Sequence, residues 1–127
     1  ESRGAWVATV YNIDWPSKAG LSAAQQQAEL RAILNRAQEL KLNAILFQVR
    51  PQCDALYESK REPWSPFLTG TMGASPGYDP LEFAVREAHA RGIELHAWFN
   101  PFRALANASK QVSADHVTKR HPSWVRK

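Results

Sequence analysis

The chain has 127 residues, 44% hydrophobic and 22% charged, which suits one globular domain with a core and excludes a disordered or fibrous chain. Sixteen basic residues against twelve acidic ones give a net charge of +4, but they are scattered, with no basic run of the kind that holds nucleic acid. A single cysteine, Cys53, builds neither a disulfide framework nor a zinc ligand set, and no stretch approaches the ~18 consecutive apolar residues of a membrane span.

Residues 5–10 (AWVATV) are short, apolar and rich in β-branched types, so they read as a buried strand with Trp6 in the core. After a polar loop, Ser22 stands three residues before Gln25, a capping-box start, and Leu30, Ile33, Leu34, Ala37 and Leu40 recur at helical spacing. The spacing predicts a helix over 23–41. Residues 43–49 (NAILFQV) are apolar on both parities, as in a strand covered on both faces of a parallel sheet. A long loop, 51–78, follows. Asp79, Pro80 and Glu82 then open a second helix at its cap, first and third positions, with Leu81, Ala84, Val85 and Ala88 as its apolar face and Gly92 as its stop. Residues 93–99 alternate, with Ile93, Leu95, Ala97 and Phe99 on one face and Glu94, His96, Trp98 and then Asn100 on the other. The rest is a polar tail with no fourth strand.

This β-α-β-α-β order leaves an open doubly wound sheet or a (β/α)8 barrel. No glycine-rich dinucleotide fingerprint follows the first strand. A third strand with polar, bulky residues on one face favours an inward-facing barrel column. The expected fold class is therefore α/β, the N-terminal part (about three βα units) of a TIM barrel. Such a barrel takes about 250 residues, so residues 1–127 read as a single incomplete domain, truncated before strand four.

Barrel sites gather at the C-terminal ends of the strands. Those ends carry Tyr11, Asn12, Asp14 and Trp15; then Gln48, Arg50, Gln52, Asp54, Tyr57 and Trp64; then His96, Trp98, Asn100 and Arg103. Aromatic faces with amides and charges suit a polyol, whose rings need platforms and whose hydroxyls need paired donors and acceptors. The candidate substrate-binding set is Asp14, Trp15, Arg50, Asp54, Tyr57, Trp64, His96, Trp98, Asn100 and Arg103. Trp98 and Asn100, at the strand end, read as substrate contacts, and six of the others have a structural alternative. Asp14 either bonds sugar hydroxyls or caps its own loop; Trp15 is a platform or a lid on the barrel edge. Arg50 serves the site or pairs with Asp54 or a neighbouring strand, and Asp54 has the same choice. Trp64 is a platform or a loop anchor, and His96 is a site residue or a satisfied core histidine. Glu94 reads as structural. His89, His116 and His121 read as solvent-facing. No metal site and no cofactor are expected, because His96 has no neighbours at ligand spacing.

The segments RGAWVATVYNIDWPSKAGLS, LNAILFQVRPQCDALYESKREPWSPFLTGTMGASPGYDPLEFAVREAHARGIELHAWFNPFRA and HPSWV resemble the glycosyl-hydrolase-like family 10 domain of bacterial envelope proteins. The resemblance runs over nearly the whole chain. It implies a (β/α)8 barrel and hydrolysis of β-1,4 bonds between amino sugars in peptidoglycan strands stripped of their peptides. It also implies catalytic carboxylates at later strands, downstream of Lys127, in a segment nothing here matches. Cys53 departs from the small residue expected at its position. The expected partner is then a glycan, and the expected location the bacterial cell envelope, periplasmic or extracellular. Glu1 in place of Met fits a processed or cut chain with any signal or lipoprotein anchor upstream. A non-catalytic carbohydrate-binding domain, a barrel hydrolase of α-glucans and a scaffold with a degenerate site stay as alternatives. Oligomeric state is not legible.

Overall fold

In the computed structural model, residues 1–126 are described. Three parallel strands, β1 (Gly4–Val7), β2 (Ala44–Arg50) and β3 (Glu94–Phe99), form one sheet in the order β1-β2-β3. They alternate with helices α1 (Ala23–Glu39), α2 (Pro66–Thr69), α3 (Pro80–His89) and α4 (Val117–Arg120). The architecture is thus an α/β arrangement of parallel strands joined through helices.

Local chemistry sets both long helices. Ser22 and Gln25 close the capping box over α1, each side chain bonding the other's backbone N–H. The Asp79 carboxylate accepts the Glu82 N–H at the start of α3, and Pro80 sits where a helix needs no donor. Beyond α1, Lys41 turns the chain at φ 56° into β2, and Gly92 does the same at φ 68° before β3.

One face of the sheet is packed. Val7, Ile45, Phe47 and Val49 meet Leu30 and Leu34 of α1 and Phe83, Ala84 and Ala88 of α3 in one apolar cluster. Full burial of each such large side chain contributes ~1.5–3 kcal/mol. The opposite face is open at its Trp6, Glu94 and His96 positions. The register aligns Trp6, Leu46 and His96 across the three strands and sets Gln48 beside Trp98. Trp6 there is 62% exposed, so its expected place in the core is corrected. It meets Trp98 edge to face, ring centroids 5.1 Å apart.

Three further expectations change. The first strand ends at Val7, not residue 10, because Val10–Asn12 wind into a 3-10 turn. The loop over 51–78 holds the short helix α2 and an isolated bridge between Ala55 and Trp64. The tail contains α4 and a 3-10 turn at Pro122–Trp124, and its His116 is fully buried rather than solvent-facing. No helix among the described residues is long and apolar enough to cross a membrane.

Candidate functional site

The three loops that leave the C-terminal ends of the strands meet one another, and two amides hold them. Gln48, fully buried near the end of β2, accepts the Thr9 N–H (2.8 Å) and the Val10 N–H (2.9 Å) at Oε1. It thereby fixes the turn after β1. Its Nε2 is buried without a hydrogen-bond partner. Gln52, just past β2, accepts the Ala106 N–H at Oε1 and the ring N–H of His116 at its carbonyl. His116 Nδ1 accepts the Thr118 N–H, which leaves Nε2 as the protonated nitrogen of the neutral ring. Gln52 therefore ties the segment after β3 to the end of β2.

The candidate binding residues fall into three groups. Trp98, Asn100 and Arg50 form a connected set at the ends of β2 and β3. The Trp98 Nε1–H donates to Asn100 Oδ1 (3.0 Å), Asn100 Nδ2 donates to the Pro51 carbonyl (3.2 Å), and the Arg50 guanidinium donates to the Asn100 carbonyl (2.8 Å). Trp98 is half-buried, and its orientation is held through Asn100. Tyr57 lies nearby, with Phe99 edge-on at 6.3 Å.

The second group is committed to the frame. Trp15 is fully buried, its Nε1–H donating to the Gln26 carbonyl (2.9 Å) and Phe47 packed against its ring. No ring face is left for a sugar, which corrects its reading as a platform and also as an edge lid. The Asp14 carboxylate accepts the Ala8 N–H (2.7 Å), closing its own loop. Trp64 packs against the main apolar cluster. Asp54 is fully buried, with Oδ1 accepting the Gln52 N–H and Oδ2 lacking a well-formed hydrogen bond. Burial pushes its carboxyl above the usual range, opposed by Ser65 and the Gln52 N–H.

The third group, His96 and Arg103, is exposed. His96 lies 3.1 Å from Glu94 on the open sheet face. Glu94 is the first residue of β3, at the end of the sheet away from these loops.

Arg50 does not pair with Asp54, as one sequence reading had it. It pairs with Glu62 through Nε, at 2.7 and 2.9 Å to the two carboxylate oxygens, and this hydrogen bond raises the guanidinium pKa further above its ordinary value. The same guanidinium donates to Cys53 Sγ (3.2 Å). Burial raises the Cys53 thiol above its ordinary pKa despite Arg50, so it is not an activated thiolate. Tyr57 is raised chiefly by burial and then by Glu62. Glu62 was not singled out in the sequence; an arginine ending a buried strand implies an acid, but the twelve-residue spacing hides which.

No group of three or more His, Cys, Asp or Glu side chains is placed to hold a metal ion among the described residues. Three carboxylates of the strand-end loops, Asp14, Asp54 and Glu62, are each engaged with backbone or with Arg50. The arrangement can bind and orient a polar ligand against aromatic faces.

The glycosyl hydrolase-like 10 family profile matches residues 1–127. The chain is 47% identical over 127 residues to the glycosyl hydrolase YngK of Bacillus subtilis (strain 168), covering 98% of the chain and 25% of that relative. It is 40% identical over 144 aligned positions to the glycosyl hydrolase DigH of Escherichia coli (strain K12), covering 98% of the chain and 32% of that relative. The chain thus spans a quarter to a third of the length of these curated relatives.

Proposed function

The chain belongs to the glycosyl hydrolase-like 10 family, and from that premise we propose that it is the substrate-binding part of a glycoside hydrolase acting on β-1,4 bonds in peptide-free, peptidoglycan-type glycan strands. In this reading its three strands begin a (β/α)8 barrel, and Trp98, Asn100, Arg50, Tyr57, His96 and Arg103 lie along the glycan's path. The single observation that carries it is the Trp98–Asn100–Arg50 set. An aromatic face is fixed by hydrogen bonds at the C-terminal end of a strand, where barrel enzymes hold substrate. Glycoside hydrolysis needs two carboxyl groups about 5–9.5 Å apart on either side of the scissile bond. With Asp14, Asp54 and Glu62 engaged, those two groups come from barrel strands beyond Lys127. The reading locates the protein where such strands are found, at the bacterial cell envelope, periplasmic or extracellular.

The test is mass spectrometry of oligosaccharides released by the full-length protein from peptide-free peptidoglycan strands, a chitin-like polymer and an α-glucan. Release from the first alone is the expected result. Release from the α-glucan alone, or binding with no release from any of the three, overturns the reading.

A further inference from the structure

The tail segment His121-Pro122-Ser123-Trp124 has no part in that reading, and its conformation follows from its sequence. Pro122 sits at the first position of the 3-10 turn Pro122–Trp124, and the Trp124 N–H closes onto the His121 carbonyl (3.0 Å). Side chains three apart eclipse one another in such a turn. The His121 and Trp124 rings accordingly lie one on the other, with centroids 4.0 Å apart and planes within 9°. His121 thus backs one face of the indole. Trp124 is 70% exposed, which leaves the other face free. The turn is anchored as well, because α4 runs into it at His121 and the His116 that caps α4 is bound to the Gln52 carbonyl.

A cavity of about 500 Å³ opens beside this ring, within the ~300–1,000 Å³ typical of small-molecule sites. Arg120 and Trp124 come from the tail, Arg61 and Glu62 from the loop after β2, and Arg50 and Pro101 from the strand ends. Its polar groups are of both kinds. Arg61 and Arg120 are donors and Asp115 is an acceptor, and none of the three forms an ion pair among the described residues. The Glu62 carboxylate bonds Arg50 and has room for a further donor, since a carboxylate offers about four acceptor positions.

Three arginines against two carboxylates leave the cavity's charge nearly balanced, so a neutral ligand rich in hydroxyls suits it better than an ion. A pyranose ring needs this combination. Its hydroxyls both donate and accept, and its C–H side needs a flat apolar face. Arg50 also joins the cavity to the Trp98–Asn100 set, because the same guanidinium donates to the Asn100 carbonyl. Resting on the glycan reading above, we propose that this cavity is a further pyranose subsite beside the Trp98 set, with Trp124 as its platform and Arg61, Arg120 and Asp115 as its hydroxyl contacts.

The experiment measures kcat/KM of the full-length protein on tetrasaccharide and octasaccharide fragments of peptide-free strands. A further subsite lets sugars remote from the cleaved bond contribute to the rate. The parent is expected to gain roughly tenfold from the longer fragment, the worth of covering one large aromatic face. Trp124→Ala is expected to lose that gain, and Trp124→Phe, which keeps a flat ring, to recover most of it. Neither should lower the melting temperature, because the ring is exposed. A Trp124→Ala protein that gains from length as the parent does, or a parent that gains nothing, overturns the subsite, and product release by the parent then keeps the glycan reading. A Trp124→Phe protein no better than the Ala variant removes the platform. If the parent releases nothing from either fragment, subsite and glycan reading fall together.

Discussion

Gln48 shows how much one buried side chain can decide. Its Oε1 satisfies two consecutive backbone N–H groups, those of Thr9 and Val10, which would otherwise be buried unpaired. An orphaned buried donor costs ~1–3 kcal/mol, so Gln48→Ala is expected to destabilise the fold by about 3 kcal/mol, read from equilibrium urea unfolding. Gln48→Glu keeps an acceptor at the same reach and should lose less at acid pH than at neutral pH, where a buried carboxylate is disfavoured. Equal losses for Ala and Glu across pH would remove Gln48 from this role.

Asp54 gives a prediction with a sign. Its folded-state pKa is raised by burial, so the folded protein holds the proton more tightly than the unfolded chain does. Its contribution is fully present below the unfolded carboxyl pKa of ~3.9 and is lost as pH rises through the folded value. Asp54→Asn keeps an oxygen for the Gln52 N–H and has no charge to bury. The stability difference between the Asp54→Asn variant and its parent should therefore move in the variant's favour as pH rises from acid toward neutral. Glu87, whose pKa is lowered chiefly by Arg91, acts in the opposite direction but is common to both proteins and cancels. A difference that is flat with pH would show that Asp54 is not buried as a carboxyl group.

At the scale of elements, the helix starts were legible because their chemistry is local. Ser22 caps Gln25 three residues on, and Asp79 caps Glu82 three residues on. Asp79 does more than cap: its Oδ2 also accepts the Glu58 N–H from the preceding loop. Asp79→Ala is expected to lower stability by about 1–2 kcal/mol, the upper part of the range for an N-cap, and Asp79→Asn by a few tenths. Thermal unfolding of the two variants checks it, and an Ala variant as stable as the parent would contradict the capping role.

What depended on distant contacts was not legible. The first strand stops at Val7 because a side chain 39 positions away takes the Thr9 N–H, and nothing in the local pattern signals that. His116 sits in a polar tail, yet it is buried because the Gln52 carbonyl, 64 positions away, accepts from its ring. Trp6 shares the strand's apolar pattern, but alternation says which residues share a face and not which face the helices cover. The same limit applied to the site. Trp98, Asn100 and Arg50 could be grouped from their places at strand ends, whereas Trp15 looked equally placed and turned out to lie beneath the loop. Glu62, partner of Arg50, lay hidden in a loop whose folding the sequence does not announce.

At the scale of the whole molecule, the sheet as described has two edges and an open face. β1 and β3 each have one neighbour, and Trp6, His96 and Glu94 stand exposed on the side away from the helices. Unpaired edges beside exposed aromatic surface are adhesive, so the 127-residue chain prepared alone is expected to self-associate. Sedimentation at rising concentration would show it, and Trp6→Lys, which puts a charge on the open face, should shift the chain toward monomer. The edges also discriminate between the two folds that the β-α-β-α-β order permits. A closed barrel pairs both β1 and β3 with further strands. An open doubly wound sheet with its first strand central pairs β1 on both sides and leaves β3 at an edge. Hydrogen exchange on the full-length protein separates these outcomes through the amides that face away from β2. Slow exchange on both β1 and β3, with fast exchange at the same amides in the isolated chain, is the result the barrel requires. Slow exchange on β1 with fast exchange on β3 would replace the barrel with an open sheet, and the substrate path would then have to cross a switch point between strands in place of a barrel mouth.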